Sequence, residues 1–307
     1  MAARKWALAA LAAVLAGGPL VLGSYGIGLL TQIVILAILA MSLDILLGYT
    51  GLPSLGHAAF FGVAAYAVAV LSTTYRVDFW TTVVAAVVIG TALAAVVGLV
   101  VSHVRDVYFL MITLALGMVL WGVSYRWIPV TGGDNGISGI PSLEAHAGLP
   151  IAGPATFYYV TLAVFLVCAA LMLVLVRSPF GLTLRGIREN EGRMRSLGFD
   201  TWLHCYLSYV IAGAFASVAG VMWAYYNGFV SPTYLDLTAS SELFLMVTLG
   251  GPATLVGPIL GAGAIVLLKN VMSAYTARWL LILGIVYIVA ILAAPQGIWN
   301  LGGRRTP

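Results

Sequence analysis

Apolar runs of about 17–25 residues recur along the chain, near 6–22, 28–48, 80–102, 108–126, 155–177, 204–226 and 279–295. In hydrocarbon every backbone N–H and C=O must be paired within the protein, so such runs can only be helices. The expected fold is therefore all-α: a polytopic membrane protein with about eight to ten transmembrane helices. With 62% hydrophobic and 8% charged residues, no stretch is polar enough for a separate soluble domain. The net charge of +4 does not imply nucleic acid, because the basic residues sit at span ends, where orientation rules place them. Cys168 and Cys205 have neither metal nor disulfide spacing and read as small core residues. Arg4-Lys5 ahead of Trp6–Leu22 reads as an uncleaved first helix rather than a signal peptide, since no clean A-x-A site follows.

Two regions are less regular. Residues 50–71 begin TGLPSLGHAAFFG, and 241–272 contain TLGGPATLVGPILGAG. Broken backbone is tolerated in a membrane only where it is buried in protein or lines a cavity. Paired Gly/Pro interruptions suit a transport pathway, and close packing through small residues is the other reading. Splitting 241–272 into two short spans gives about ten crossings, with 28–126 and 204–295 entering from opposite sides as an inverted repeat. Arg4-Lys5, the 177–195 arginines and Arg304-Arg305 are then cytoplasmic, and the 127–154 loop is external. Arg76, Lys269 and Arg278 would fall outside, against that count, so eight or nine spans with a re-entrant segment stay open.

One polar stretch stands out. SPFGLTLRGIRENEGRMRSLGFD (178–200) with Arg177 holds five of the fourteen Lys+Arg. On helical geometry Leu184, Ile187, Met194 and Leu197 share one flank, and Arg185, Arg188 and Arg195 the next. Such a helix cannot sit in hydrocarbon; it lies on a membrane surface or plugs into a soluble partner. Gly181 and Gly198 bracket it, and Glu191 can pair with Arg188 or Arg195.

GLPSLGHAAFFG (51–62), TGGDNGISGIP (131–141) and the SPFG…LRGIREN…LGFD loop, in this order, resemble the LivM type of permease subunit of branched-chain amino acid ABC importers, from about residue 28 to 300. The resemblance implies a single permease domain over 1–307, with a first helix (1–27), two repeats (28–126 and 204–295), an external loop (127–154) and a cytoplasmic coupling loop (178–203). It carries docking onto an ATPase to Arg185, Gly186, Arg188, Glu189, Asn190 and Gly198. The implied partners are a homologous LivH-type permease, two ATPase subunits and an external binding protein, in a bacterial plasma (inner) membrane. No cofactor is expected on this chain; ATP and magnesium would sit on the ATPases. Candidate pathway residues are Ser54, Gly56, His57, Phe60, Thr113 and Gly117, small or dipolar groups that equally suit helix packing. His57 could gate, bind substrate or relay protons, but a histidine at broken backbone more often ties it to a neighbouring helix. Asp44 reads as an interfacial residue or a partner of a backbone donor, and Glu242 as opening the helix at 241.

Other classes fare worse. Gly136-Ile-Ser-Gly139 fits the GxSG string of rhomboid-type proteases, but Ser138 lies in a polar loop rather than at the start of a span. No G-x-x-x-x-G-K-[ST] loop occurs, so ATP hydrolysis would belong to another chain. An ion-coupled carrier would need more buried carboxylates or histidines than Asp44 and His57. Urea or a short amide is the alternative substrate class.

Overall fold

The computed structural model describes residues 17–19, 22–143, 146, 153–275, 278, 281, 282, 284, 285, 288 and 297–300. The expected helices at 6–22 and 279–295 lie wholly or mostly outside the described residues. Among those described, six helices are long and apolar enough to span a membrane, and two shorter apolar ones accompany them.

The centre is α1 (Ser24–Asp44), apolar on every side and buried almost continuously from Ile33 to Asp44. A helix without a polar face must be surrounded, and α1 packs against four others. It widens into a π-helical turn at Ile45–Thr50 and stops at Gly51, whose φ of +79° is the left-handed conformation glycine tolerates. Residues 51–57 cross without regular structure. α2 (Ala58–Ala69) then runs back, followed by α3 (Phe79–Val101) and α4 (Asp106–Arg126). α3, α4 and α6 (Pro154–Arg177) turn exposed side chains such as Val88, Met111 and Leu166 outward, as lipid-facing spans do. The short α5 (Ile128–Thr131) opens the segment between α4 and α6.

α9 (Thr201–Asn227) packs on α1, α2 and α3 through small residues. A Cβ at Gly213 would strike Ala94, and one at Gly220 would strike the Phe61 carbonyl. Without water to expel between helices, close approach of this kind is what holds spans together. α10 (Leu237–Gly250) and α11 (Val256–Tyr275) pack on each other and on α1. The 241–272 region is divided between α10, shorter than a full span, and α11, long enough for one, with 251–255 between them.

The ends differ in chemistry. At one, β1 (Ile137–Ser138) pairs antiparallel with β2 (Phe229–Val230), and His146 bridges the Val77 carbonyl at 2.7 Å and the Tyr225 hydroxyl at 2.9 Å. The other carries the arginine-rich loop.

That loop departs from expectation. It forms two helices, α7 (Pro179–Glu189) and α8 (Glu191–Ser196), broken at Asn190. Asn190 has extended backbone, and its Oδ1 accepts from Arg193 N at 2.9 Å, which makes it the cap of a new helix. The break ends the common flank: Leu184 and Ile187 are buried, Met194 is half-buried, and Leu197 is 66% exposed. Glu242 also differs, because Asp236 caps α10 by accepting from Ala239 N at 2.8 Å. Glu242 lies inside the helix, where Lys269 of α11 meets it.

Candidate functional site

The loop is fastened at both its halves. Ser178 caps α7, with Pro179 at its first position, where the missing N–H costs nothing. From α7, Arg188 Nη1 donates to the Gly48 carbonyl in the π turn of α1, and the Arg185 guanidinium lies 4.9 Å from the centre of the Tyr49 ring. Gly186 has its close neighbour in α8: a Cβ there would press on Met194 Sδ.

From α8, Glu191 takes both prongs of Arg105, with Nε to Oε2 at 2.8 Å and Nη2 to Oε1 at 3.1 Å. Thr201 Oγ1 and Arg195 Nη2 add bonds to Oε1, each 2.9 Å. Arg105 also donates to the Ser102 and Val104 carbonyls, so the α3–α4 junction, α8 and the first residue of α9 share one carboxylate. The Arg105 bonds, with those of Thr201 and the charge of Arg195, hold the Glu191 carboxyl below its usual range. Sequence reasoning had offered Glu191 only as a local helix pair; its Arg105 partner is 86 residues away.

The remaining predicted docking residues lie on the outside. Glu189, Asn190 and Gly198 are exposed, as are Arg185 and Arg188 beyond their anchoring contacts, while Gly186 is half-buried. Beside them Leu182 (60%), Leu197 (66%) and Phe199 are exposed apolar groups. The surface is apolar knobs among arginines, on a support held by charge-assisted bonds.

Under the loop the end of α1 meets the break at 251–255. Asp44, fully buried at the end of α1, accepts from Ala253 N at 2.7 Å and Leu255 N at 3.1 Å. Ala253 and Leu255 have φ of +63° and +54°, a conformation L-residues rarely adopt. Gly48 lets the strands of this knot touch, since a Cβ there would run into Asp44 Oδ1 and Ala253 N. Asp44 therefore partners backbone donors, one of its two expected roles. The other broken region packs on α4. Leu55 N donates to Thr113 Oγ1 at 3.3 Å, and a Cβ at Gly56 would enter the Thr113 carbonyl, with Gly117 alongside.

His57 Nε2 lies 2.8 Å from Ser42 Oγ. Ser42 already donates to the Leu39 carbonyl at 2.6 Å, so its oxygen accepts from a protonated Nε2. Histidine thus ties broken backbone to α1. Phe60 sets its ring edge-on to His57 and to Tyr209, with centroids 5.7 and 5.5 Å apart. Ser54, Gly56, His57, Phe60, Thr113 and Gly117 are brought together as a group, and all are buried within this chain.

A multi-pass helical protein with broken apolar helices and an arginine-rich loop fastened to three of its spans has the build of a membrane permease subunit. The chain belongs to the family described as "Branched-chain amino acid transport system / permease component", whose model matches residues 25–292. It is similar to the high-affinity branched-chain amino acid transport permease LivM of Escherichia coli K12, 30% identical over 90% of this chain and 70% of that one. It is likewise similar to LivM of Salmonella typhimurium, 28% identical over 96% of this chain and 75% of that one. A probable LivH permease of Methanocaldococcus jannaschii is 25% identical over 88% and 90% respectively. No solved structure matches. As a member of this family the chain is a multi-pass membrane transport subunit.

Proposed function

We propose that this protein is the permease subunit of an ATP-driven importer of branched-chain or related aliphatic amino acids. It would pair with a LivH-type permease, take substrate from an external binding protein, and be driven by two cytoplasmic ATPases through α7–α8. The observation that carries the coupling role is the fastening of the loop. Arg188 holds it to the end of α1, and Glu191 holds it to Arg105 and Thr201. A push on the exposed face of α7–α8 is thereby delivered to three spans at once, without deformation of a flexible linker. The face itself offers Leu182, Leu197 and Phe199 as apolar anchors and Arg185, Glu189, Arg193 and Arg195 as a charged rim, the usual make-up of a docking patch.

Leu182→Asp with Leu197→Asp tests this, because both side chains are exposed and neither supports the fold. The double variant is expected to insert normally, to lose ATPase subunits on purification, and to lose leucine uptake. Normal uptake with ATPases retained would remove the docking role from this surface.

A further inference from the structure

Beyond the loop and the knot, α1, α2, α9, α10 and α11 border a half-open cavity of about 280 Å³, near the lower end of the usual size for small-molecule sites. One wall is apolar, made by Leu39, Phe61, Trp223, Leu243 and Met246. The other holds a full ion pair, with Lys269 Nζ 3.0 Å from both Glu242 oxygens. A second cavity of about 300 Å³ shares Leu36, Trp223, Met246 and this pair, and reaches polar Gln32, Asn270 and Ser273. The pair is therefore the partition between two spaces rather than a buried strut. Trp223 is one turn from the C-terminal end of α9, and Glu242 between one and two turns into α10, so the site lies toward the end of the bundle opposite the arginine-rich loop.

Ionisable side chains within spans are costly and mark function by default. We infer that this groove binds the zwitterion of an aliphatic amino acid, with Glu242 receiving the α-ammonium and Lys269 the α-carboxylate. The inference rests on the amino-acid importer reading and locates its substrate. An ammonium offers three donors and a carboxylate about four acceptor positions, so a Glu–Lys pair can take up a second, antiparallel pair of charges. Glu242 and Lys269 balance each other as the two charges of the zwitterion do. Asp236, also in the lining, adds a second carboxylate, one oxygen of which accepts from Ala239 N to cap α10. The aliphatic side chain would lie on the Phe61–Trp223–Met246 wall.

The test uses the assembled importer in proteoliposomes with its binding protein, measuring leucine uptake and equilibrium binding of radiolabelled leucine. Lys269→Gln and Glu242→Gln are each expected to raise the leucine KM about tenfold or more, the loss of one charge-assisted contact. Competition should require both charges: leucine and valine displace the label, while leucinamide and 4-methylpentanoate do not. Because a single neutralisation strands its partner, Met246→Trp supplies an uncharged check, narrowing the cavity and raising KM with the pair intact. Wild-type leucine KM in Met246→Trp and in both Gln variants would overturn the site and leave the importer reading standing. So would copurified lipid filling the groove undisplaced by leucine. A wild-type assembly that hydrolyses ATP but neither binds nor moves any amino acid would instead overturn the reading beneath it.

Discussion

Asp44→Asn should unlatch the knot between the end of α1 and the break at 251–255. The carboxylate accepts from Ala253 N at 2.7 Å and Leu255 N at 3.1 Å in a site with no solvent access. An asparagine keeps one acceptor and turns an NH₂ toward the other amide, so one buried N–H is left facing a donor. An unsatisfied buried donor costs about 1–3 kcal/mol. The surviving bond also loses its charge assistance, about 1 kcal/mol by the difference between charged and neutral bonds. These bonds also sustain the positive φ of Ala253 and Leu255, strain of about 1–3 kcal/mol each that persists only where the surroundings impose it. The expected loss is therefore about 2–4 kcal/mol, with part of it appearing as local opening of 251–255. Thermal unfolding of the detergent-solubilised assembly reads the first component, and amide exchange at 253–256 reads the second. Asp44→Leu, which frees both amides, should lose more. If Asp44→Asn leaves both the midpoint and the exchange of Ala253 and Leu255 unchanged, the carboxylate does not hold the knot.

Glu191 gives a pH test. Its folded pKa lies below the free value of 4.5, so the unfolded chain binds the proton more readily and stability rises with pH. The contribution is complete above about pH 4.5 and disappears as pH falls through the lower folded value. For a pair one-quarter exposed it amounts to about 0.5–1 kcal/mol. Glu191→Gln should flatten the acid limb of a stability–pH curve below 4.5, and an unchanged limb would deny Glu191 that role. Gly56→Ala should cost about 1–3 kcal/mol, since its Cβ meets the Thr113 carbonyl rather than a side chain able to rotate aside; thermal unfolding equal to wild type would show that α4 can give way.

Much was legible in order along the chain. Span lengths, the broken regions and the arginine-rich loop come from local hydropathy and local punctuation, which report how each segment partitions between lipid and water. The His57 tie and the packing of Gly56 against Thr113 were among the readings open at that level, because broken backbone in a membrane has few ways to be satisfied. Helical periodicity overreached at Leu197, where one asparagine had a better use as a cap than as a mid-helix residue.

By itself, then, the sequence determined an all-helical membrane chain, the segments that break, and the polar loop that must leave the lipid. Tertiary structure alone decided that Asp44 meets residues 253–255, about 209 positions away, that Glu191 meets Arg105, and that Lys269 meets Glu242 in a cavity wall. Hydropathy is a property of each segment against its solvent. Which buried charge finds which donor depends on how the helices rotate and stack, and that is set by small-residue contacts distributed over the whole bundle.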